Sequence, residues 1–191
     1  MKDFSQIFSY ENIKIGYIPG STEVLFIKTG QGGSIYGYNN RYIDFAHAVN
    51  ERYGFSVFVS ATDSDAREMY DLEMELVNKV FQNKSYLIYY LGVSKGGLIG
   101  CWYGADNPKL KKIMSVNAPL MLNYHGKTLP AIKKLGRDKL VMVYGSLDPS
   151  HSYVPFAEKY ANVKVVSGAD HNFRGMTEAF YEIVTRDLLN K

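Results

Sequence analysis

Apolar residues in this chain follow two alternating patterns. Short continuous runs, such as Val24-Leu25-Phe26-Ile27 and Leu140-Val141-Met142-Val143-Tyr144, are separated by longer stretches with apolar residues every three or four positions. Continuous runs of this length fit strands buried on both faces of a parallel sheet. Strands are expected at Ile13 to Ile18, Glu23 to Ile27, Ser56 to Ser60, Tyr86 to Leu91, Lys112 to Val116, Leu140 to Tyr144 and Val163 to Val166. Helical spacing predicts Tyr42 to Tyr53, with Phe45, Ala46, Val49 and Tyr53 as its apolar set. It predicts Asp65 to Phe81, with Met69, Leu72, Leu76, Val80 and Phe81 inward and Ser64 or Asp65 as N-cap. The last long helix is Thr177 to Leu189, carrying Ala179, Phe180, Ile183, Val184, Leu188 and Leu189, and a short one is expected over Leu129 to Leu135.

Strands alternating with helices make βαβ units, hence an α/β fold with a doubly wound, mostly parallel sheet and helices on both faces. No repeat, low-complexity tract or Pro/Gly/Ser-rich linker interrupts the pattern. Residues 1–191 are therefore read as one domain, long enough for a sizeable core.

Composition narrows the partners. Hydrophobic residues make up 46% and charged residues 21%, as in ordinary globular proteins. The net charge of +3, from 22 basic and 19 acidic residues, is small and evenly spread, which argues against nucleic acid or an anionic membrane. The single Cys101 excludes an intramolecular disulfide. Met1 to Gln6 lacks a basic segment followed by an apolar one, and no apolar run reaches membrane-span length. A cytoplasmic location is the expectation, and the oligomeric state is left open. The 16 Tyr and 10 Phe suit a core rim, a binding face or an interface equally.

Candidate chemistry begins at Gly92-Val93-Ser94-Lys95-Gly96, between the apolar run ending at Leu91 and a helix-like stretch, Gly97 to Gly104. G-x-S-x-G between strand and helix is a nucleophile elbow, a sharp turn that lifts the serine Oγ clear of the sheet. Chance alone yields the pattern in roughly one chain in ten of this length, so the partners decide. A serine needs a base to take its proton and an acid to orient that base. Asp148 follows a predicted strand in Gly145-Ser146-Leu147-Asp148-Pro149, although Asp-Pro there also reads as a turn initiator. Asn117 occupies the other loop position for an acid and does not ionise. Of His47, His125, His151 and His171, only His171 follows the last strand and precedes the last helix. The order Ser94, Asp148, His171 is that of one hydrolase fold. Asp170 reads as a loop-shaping neighbour. A Ser94–Lys95 dyad is the weaker rival, because an elbow points successive side chains apart.

The developing oxyanion needs donors. The Lys95 N–H is one. The Gly-rich loop Lys28-Thr29-Gly30-Gln31-Gly32-Gly33-Ser34 offers the Gln31 N–H as another. That loop lacks both common phosphate-binding glycine patterns. No metal or cofactor is called for.

With these motifs the chain resembles the α/β-hydrolase superfamily, as a small member with a minimal cap, over about Ile13 to Leu189. The resemblance implies Ser94 as nucleophile, His171 as base and then acid, Asp148 as the orienting acid, and Gln31 and Lys95 as the oxyanion hole. Two departures stand out. Thr29-Gly30 replaces the His-Gly common in relatives, and only about twenty residues separate Val116 from Leu140, well short of a domain. Pro119 to Tyr124 is left as a small flap. Tyr36, Tyr38, Leu120, Met121 and Tyr124 are candidate substrate walls or, equally, loop packing. The implied activity is hydrolysis of a carboxylic ester or thioester through an acyl-enzyme, on a small-molecule or carrier-borne acyl group. An amide substrate, an acyltransferase using the same triad, and a non-catalytic binding protein on this fold remain open alternatives.

Overall fold

The computed structural model describes residues 2–10, 13–61, 64–82 and 84–191. Its sheet has eight strands in the order β1-β2-β4-β3-β5-β6-β7-β8. These are β1 (Gln6–Tyr10), β2 (Ile13–Ile18), β3 (Glu23–Lys28), β4 (Ser56–Ser60), β5 (Leu87–Val93), β6 (Leu110–Val116), β7 (Leu140–Gly145) and β8 (Asn162–Val166). The β1–β2 and β2–β4 pairs are antiparallel, and every other pair is parallel. The helices are α1 (Arg41–Tyr53), α2 (Arg67–Phe81), α3 (Lys95–Gly104), α4 (Leu129–Lys139), α5 (Val154–Ala157) and α6 (Thr177–Ile183). A wider turn, Val184–Leu189, continues α6. Among the described residues no helix is long and apolar enough to cross a membrane.

Two apolar layers cover the sheet. On one face α1, α6 and the turn that continues it bury Phe45, Val49, Phe180 and Val184 against Leu25, Val57, Leu91 and Val143. On the other, α2, α3 and α4 bury Val77, Leu98 and Ile132 against Phe26, Phe58, Ile113 and Met142. Much of the aromatic content lies in this second layer. Tyr17, Phe58, Phe26 and Tyr90 occupy successive strands in matched register, with ring centroids 4.5, 6.4 and 5.5 Å apart. Such cross-strand pairs fix register because a one-residue slip would throw the row onto the opposite face.

The sequence reading is right about the buried strands and needs amendment at the edges. β1 is an additional strand. It is a largely exposed antiparallel edge, so it carries no continuous apolar run. β8 is the opposite edge and largely exposed, with Val165 46% exposed. α2 starts at Arg67, not Asp65. Ser64 Oγ accepts the Ala66 N–H at 3.2 Å outside the helix, and Asp65 pairs with Lys95 instead of capping. Leu72 is half exposed, and Glu73 takes the inward position beside it. α4 runs past Leu135 through a break at Gly136, whose φ of 62° suits glycine.

A topological switch sets the place of the site. From β3 the chain crosses to β4 on one side and returns to β5 on the other. The loops after β3 and β5 therefore diverge and leave a crevice at the strand C-termini.

Candidate functional site

β5 ends in that crevice, and α3 begins two residues later. Ser94, the residue between, has φ 54° and ψ −125°, a conformation that costs a non-glycine residue about 1–3 kcal/mol. The flanking glycines make the turn possible. A Cβ on Gly92 would lie 2.5 Å from the Gly97 backbone, and one on Gly96 would lie 2.5 Å from the Lys28 and Thr29 carbonyl oxygens. The turn is tied by Ser94 N–H to the Val116 carbonyl at 2.7 Å and by Gly97 N–H to the Ser94 carbonyl at 3.0 Å.

The β3 loop closes over the serine. A Cβ on Gly30 would lie 3.0 Å from Ser94 Cβ and 3.6 Å from Ser94 Oγ, so the bare backbone is what permits the approach. Gly33 N–H donates to the Gly30 carbonyl at 3.1 Å, making a turn with Gln31 and Gly32 at its corner. Gln31 lines the same cleft as Ser94 and His171. The Lys95 ammonium sits 3.3 Å from Asp65, on the α2 side, as expected if its side chain diverges from the serine.

Asp148 caps the turn after β7 and is buried. Its Oδ1 accepts the Ser150 N–H at 2.7 Å and the Ser150 hydroxyl, and its Oδ2 meets His171 Nδ1. One carboxylate thus both caps the turn and contacts the His171 ring. His171 is half exposed, and its Nδ1 contact leaves Nε2 as the ring nitrogen for the cleft. His47 instead contacts the Asp3 carbonyl at 2.9 Å and fastens the N-terminal segment to α1.

The loop bearing His171 is held by Asn117 and Asp170. Asn117 Nδ2 donates to the Asp170 and His171 carbonyls at 3.2 and 3.0 Å, while its Oδ1 accepts the Gly145 N–H at 2.8 Å. One buried amide thus joins the ends of β6 and β7 to the histidine loop. Its position directly after a strand is the sequence signal for this role. Asp170 shapes the loop as expected, accepting the Asn172 and Arg174 N–H groups at 3.0 Å each. The Arg174 N–H, then that of Asn172, holds its carboxyl below the ordinary range. These ties are therefore present above the usual carboxylate pKa and are lost only as pH falls through the lowered one. Asn117→Ala leaves the Gly145 N–H without its partner and should cost about 2 kcal/mol in urea unfolding. Asn117→Asp should cost more, because it faces two carbonyls with oxygen.

The cleft encloses about 470 Å³ and is lined by the Gly30 to Ser34 loop, Tyr38, Arg41, Ser94 and His171, among others. Four of the five candidate wall residues fall elsewhere. Tyr36 packs tilted against Phe4, with ring centroids 5.8 Å apart, and its hydroxyl reaches Asp3 at 3.3 Å. Leu120 is wholly buried in the core layer of α3 and α4. Met121 is exposed in the turn preceding α4, and Tyr124 packs beside His125. Of these candidates only Tyr38, 53% exposed, borders the cleft. Their loops share the sheet's C-terminal end, but packing turns the side chains aside.

Among the described residues no group of three His, Cys, Asp or Glu could hold a metal ion. Cys101 is fully buried, and burial pushes its thiol up to about 12, so it is no nucleophile at neutral pH.

Known proteins share this architecture. An alpha-beta serine hydrolase homologue from Coxiella burnetii matches with a TM-score of 0.76 at 16% identity, over 97% of this chain and 98% of that one. XC6422 from Xanthomonas campestris, an a/b serine hydrolase without lid, matches at 0.71 and 12% identity over 98% and 94%. A dienelactone hydrolase from Anabaena variabilis matches at 0.71 and 18% identity over 97% of each chain. No protein-family model and no curated protein matches the sequence. The chain has the α/β-hydrolase fold, without an inserted lid.

Proposed function

We propose that this chain is a serine hydrolase that cleaves a carboxylic ester or thioester through an acyl-enzyme. The carrying observation is the pairing of the buried Asp148 carboxylate with His171 Nδ1 at a cleft that also holds the strained Ser94. Asp148 fixes the imidazole tautomer, so Nε2 is the nitrogen that takes the Ser94 Oγ proton. The alkoxide attacks the substrate carbonyl, and the oxyanion is met by the Lys95 and Gln31 N–H groups. The leaving group takes the proton from His171. Water then enters, gives its proton to the same Nε2, and releases the acid while Ser94 is restored.

Names of similar folds agree at the level of hydrolysis, since those proteins are called serine hydrolases and a dienelactone hydrolase. The minimal cap favours small activated esters, or acyl groups displayed on a carrier.

A fluorophosphonate probe followed by peptide mapping tests the chemistry directly. An adduct on Ser94 that vanishes in His171→Ala supports it. An adduct elsewhere, or none, sinks it and leaves a non-catalytic hydrolase-fold protein. Product analysis with added alcohols separates hydrolysis from acyl transfer.

A further inference from the structure

The hydrolase reading leaves one charged cleft residue without a task. Arg41 opens α1, is 5% exposed and lines the same cleft as Ser94 and His171. Its guanidinium lies over the Phe180 ring at 4.6 Å and the Tyr42 ring at 5.1 Å. One terminal nitrogen donates to the Asn172 carbonyl and the other to the Tyr42 hydroxyl at 3.3 Å. Both acceptors are neutral, because burial pushes the Tyr42 phenol up and keeps it protonated. Nε has no partner at all. Among the described residues no carboxylate forms an ion pair with Arg41, and none lines the cleft.

Buried charges are normally paired. Here the fold places a guanidinium beside a polar, open cleft and supplies no anion. Asp44, on the same helix, makes no ion pair with it, and Asp170, on the adjoining loop, is committed to Arg174 and two backbone N–H groups. The missing counter-charge can come from the ligand. Arginine suits this, because it stays charged and its planar fork matches a carboxylate.

We propose that Arg41 binds a carboxylate on the substrate, so that the enzyme selects half-esters or half-thioesters of dicarboxylic acids over neutral esters. The reacting carbonyl sits at Ser94 and the free carboxylate at Arg41. This rests on the hydrolase reading for its chemistry, although the anion site itself does not.

The test compares p-nitrophenyl hemisuccinate with its neutral methyl ester in the wild type, Arg41→Lys and Arg41→Met. Wild type should favour the charged ester by about tenfold or more in kcat/KM, mostly through KM, and the preference should shrink with salt. Arg41→Met should abolish the preference, and Arg41→Lys should keep part of it. Because Arg41 also braces the His171 loop, the charged-to-neutral ratio is read, and losses common to both esters cancel. A wild type that hydrolyses the neutral ester equally well or better overturns the proposal and leaves the hydrolase reading intact. If neither ester turns over and Ser94 takes no probe, the hydrolase reading fails by itself. Calorimetric titration with glutarate then decides the anion site. Saturable binding to the wild type that weakens with salt supports it, and no binding overturns it. Those wild-type measurements stand even if the Arg41 variants fail to fold.

Discussion

Ser94→Ala and His171→Ala are each expected to lower turnover of an activated ester by about four to six orders of magnitude. The size follows from the interdependence of the groups. Without the imidazole the hydroxyl keeps its proton, and without the hydroxyl the imidazole has nothing to activate. The double variant should therefore be scarcely slower than either single one. Steady-state hydrolysis of p-nitrophenyl acetate by all three variants measures this, and multiplying losses would refute a shared mechanism. Asp148→Asn should fall between, because Oδ2 would no longer be guaranteed to face Nδ1. The Ser94→Ala protein should also be no less stable than the wild type, since the serine side chain makes no contact that holds the turn. Its φ of 54° is imposed by backbone ties to Val116 and Gly97.

The largest effect on stability is expected below the elbow. Lys28, the last residue of β3, is 1% exposed and pairs with the wholly buried Glu73 of α2, which also accepts the Ser60 hydroxyl. Removing one partner strands a charge, so Lys28→Met or Glu73→Leu alone should cost about 3–5 kcal/mol. The double change should be more stable than either single, because an apolar pair has no charge to desolvate. Urea unfolding of the four proteins closes the cycle, and simple additivity would rule out pairing as the cause.

The pH dependence has a definite sign. Burial, partly opposed by Lys28, raises the Glu73 carboxyl above its ordinary range. A raised folded pKa gives stability that is present below the unfolded pKa and lost as pH rises through the folded one. Removing Lys28 removes the opposing effect. The Lys28→Met deficit should therefore be small in acid and grow as pH rises. The consequence reaches the cleft, because the Lys28 and Thr29 carbonyls pack against Gly96.

What the sequence shows and what it hides divide along physical lines. Continuous runs such as Val24 to Ile27 mark strands buried on both faces, and the spacing of Phe180, Ile183, Val184 and Leu188 marks a helix against the sheet. Gly92 and Gly96 are legible because a turn with a serine at positive φ leaves no room for Cβ. Ser94, Asp148 and His171 are readable by order, since each follows a strand end in a parallel sheet. Glu73, Asn117 and Arg41 are not. A polar residue on a helix or at a strand end reads as solvated until its partner is known. Their partners lie 45, 28 and 131 residues away. Tyr36 and Leu120 fail for a related reason: loop position gives the neighbourhood of a side chain but not the direction it takes.

The brace from Arg41 to the Asn172 carbonyl spans nearly the whole path from first helix to last. Ser94 and His171 share a cleft only after pieces from both halves of the chain have docked. During synthesis Ser94 would leave the ribosome well ahead of His171, so under the proposed mechanism a nascent or truncated chain would carry an inert serine. Catalysis would switch on with the final closure of the fold, and loss of turnover on heating should follow global unfolding without a lag.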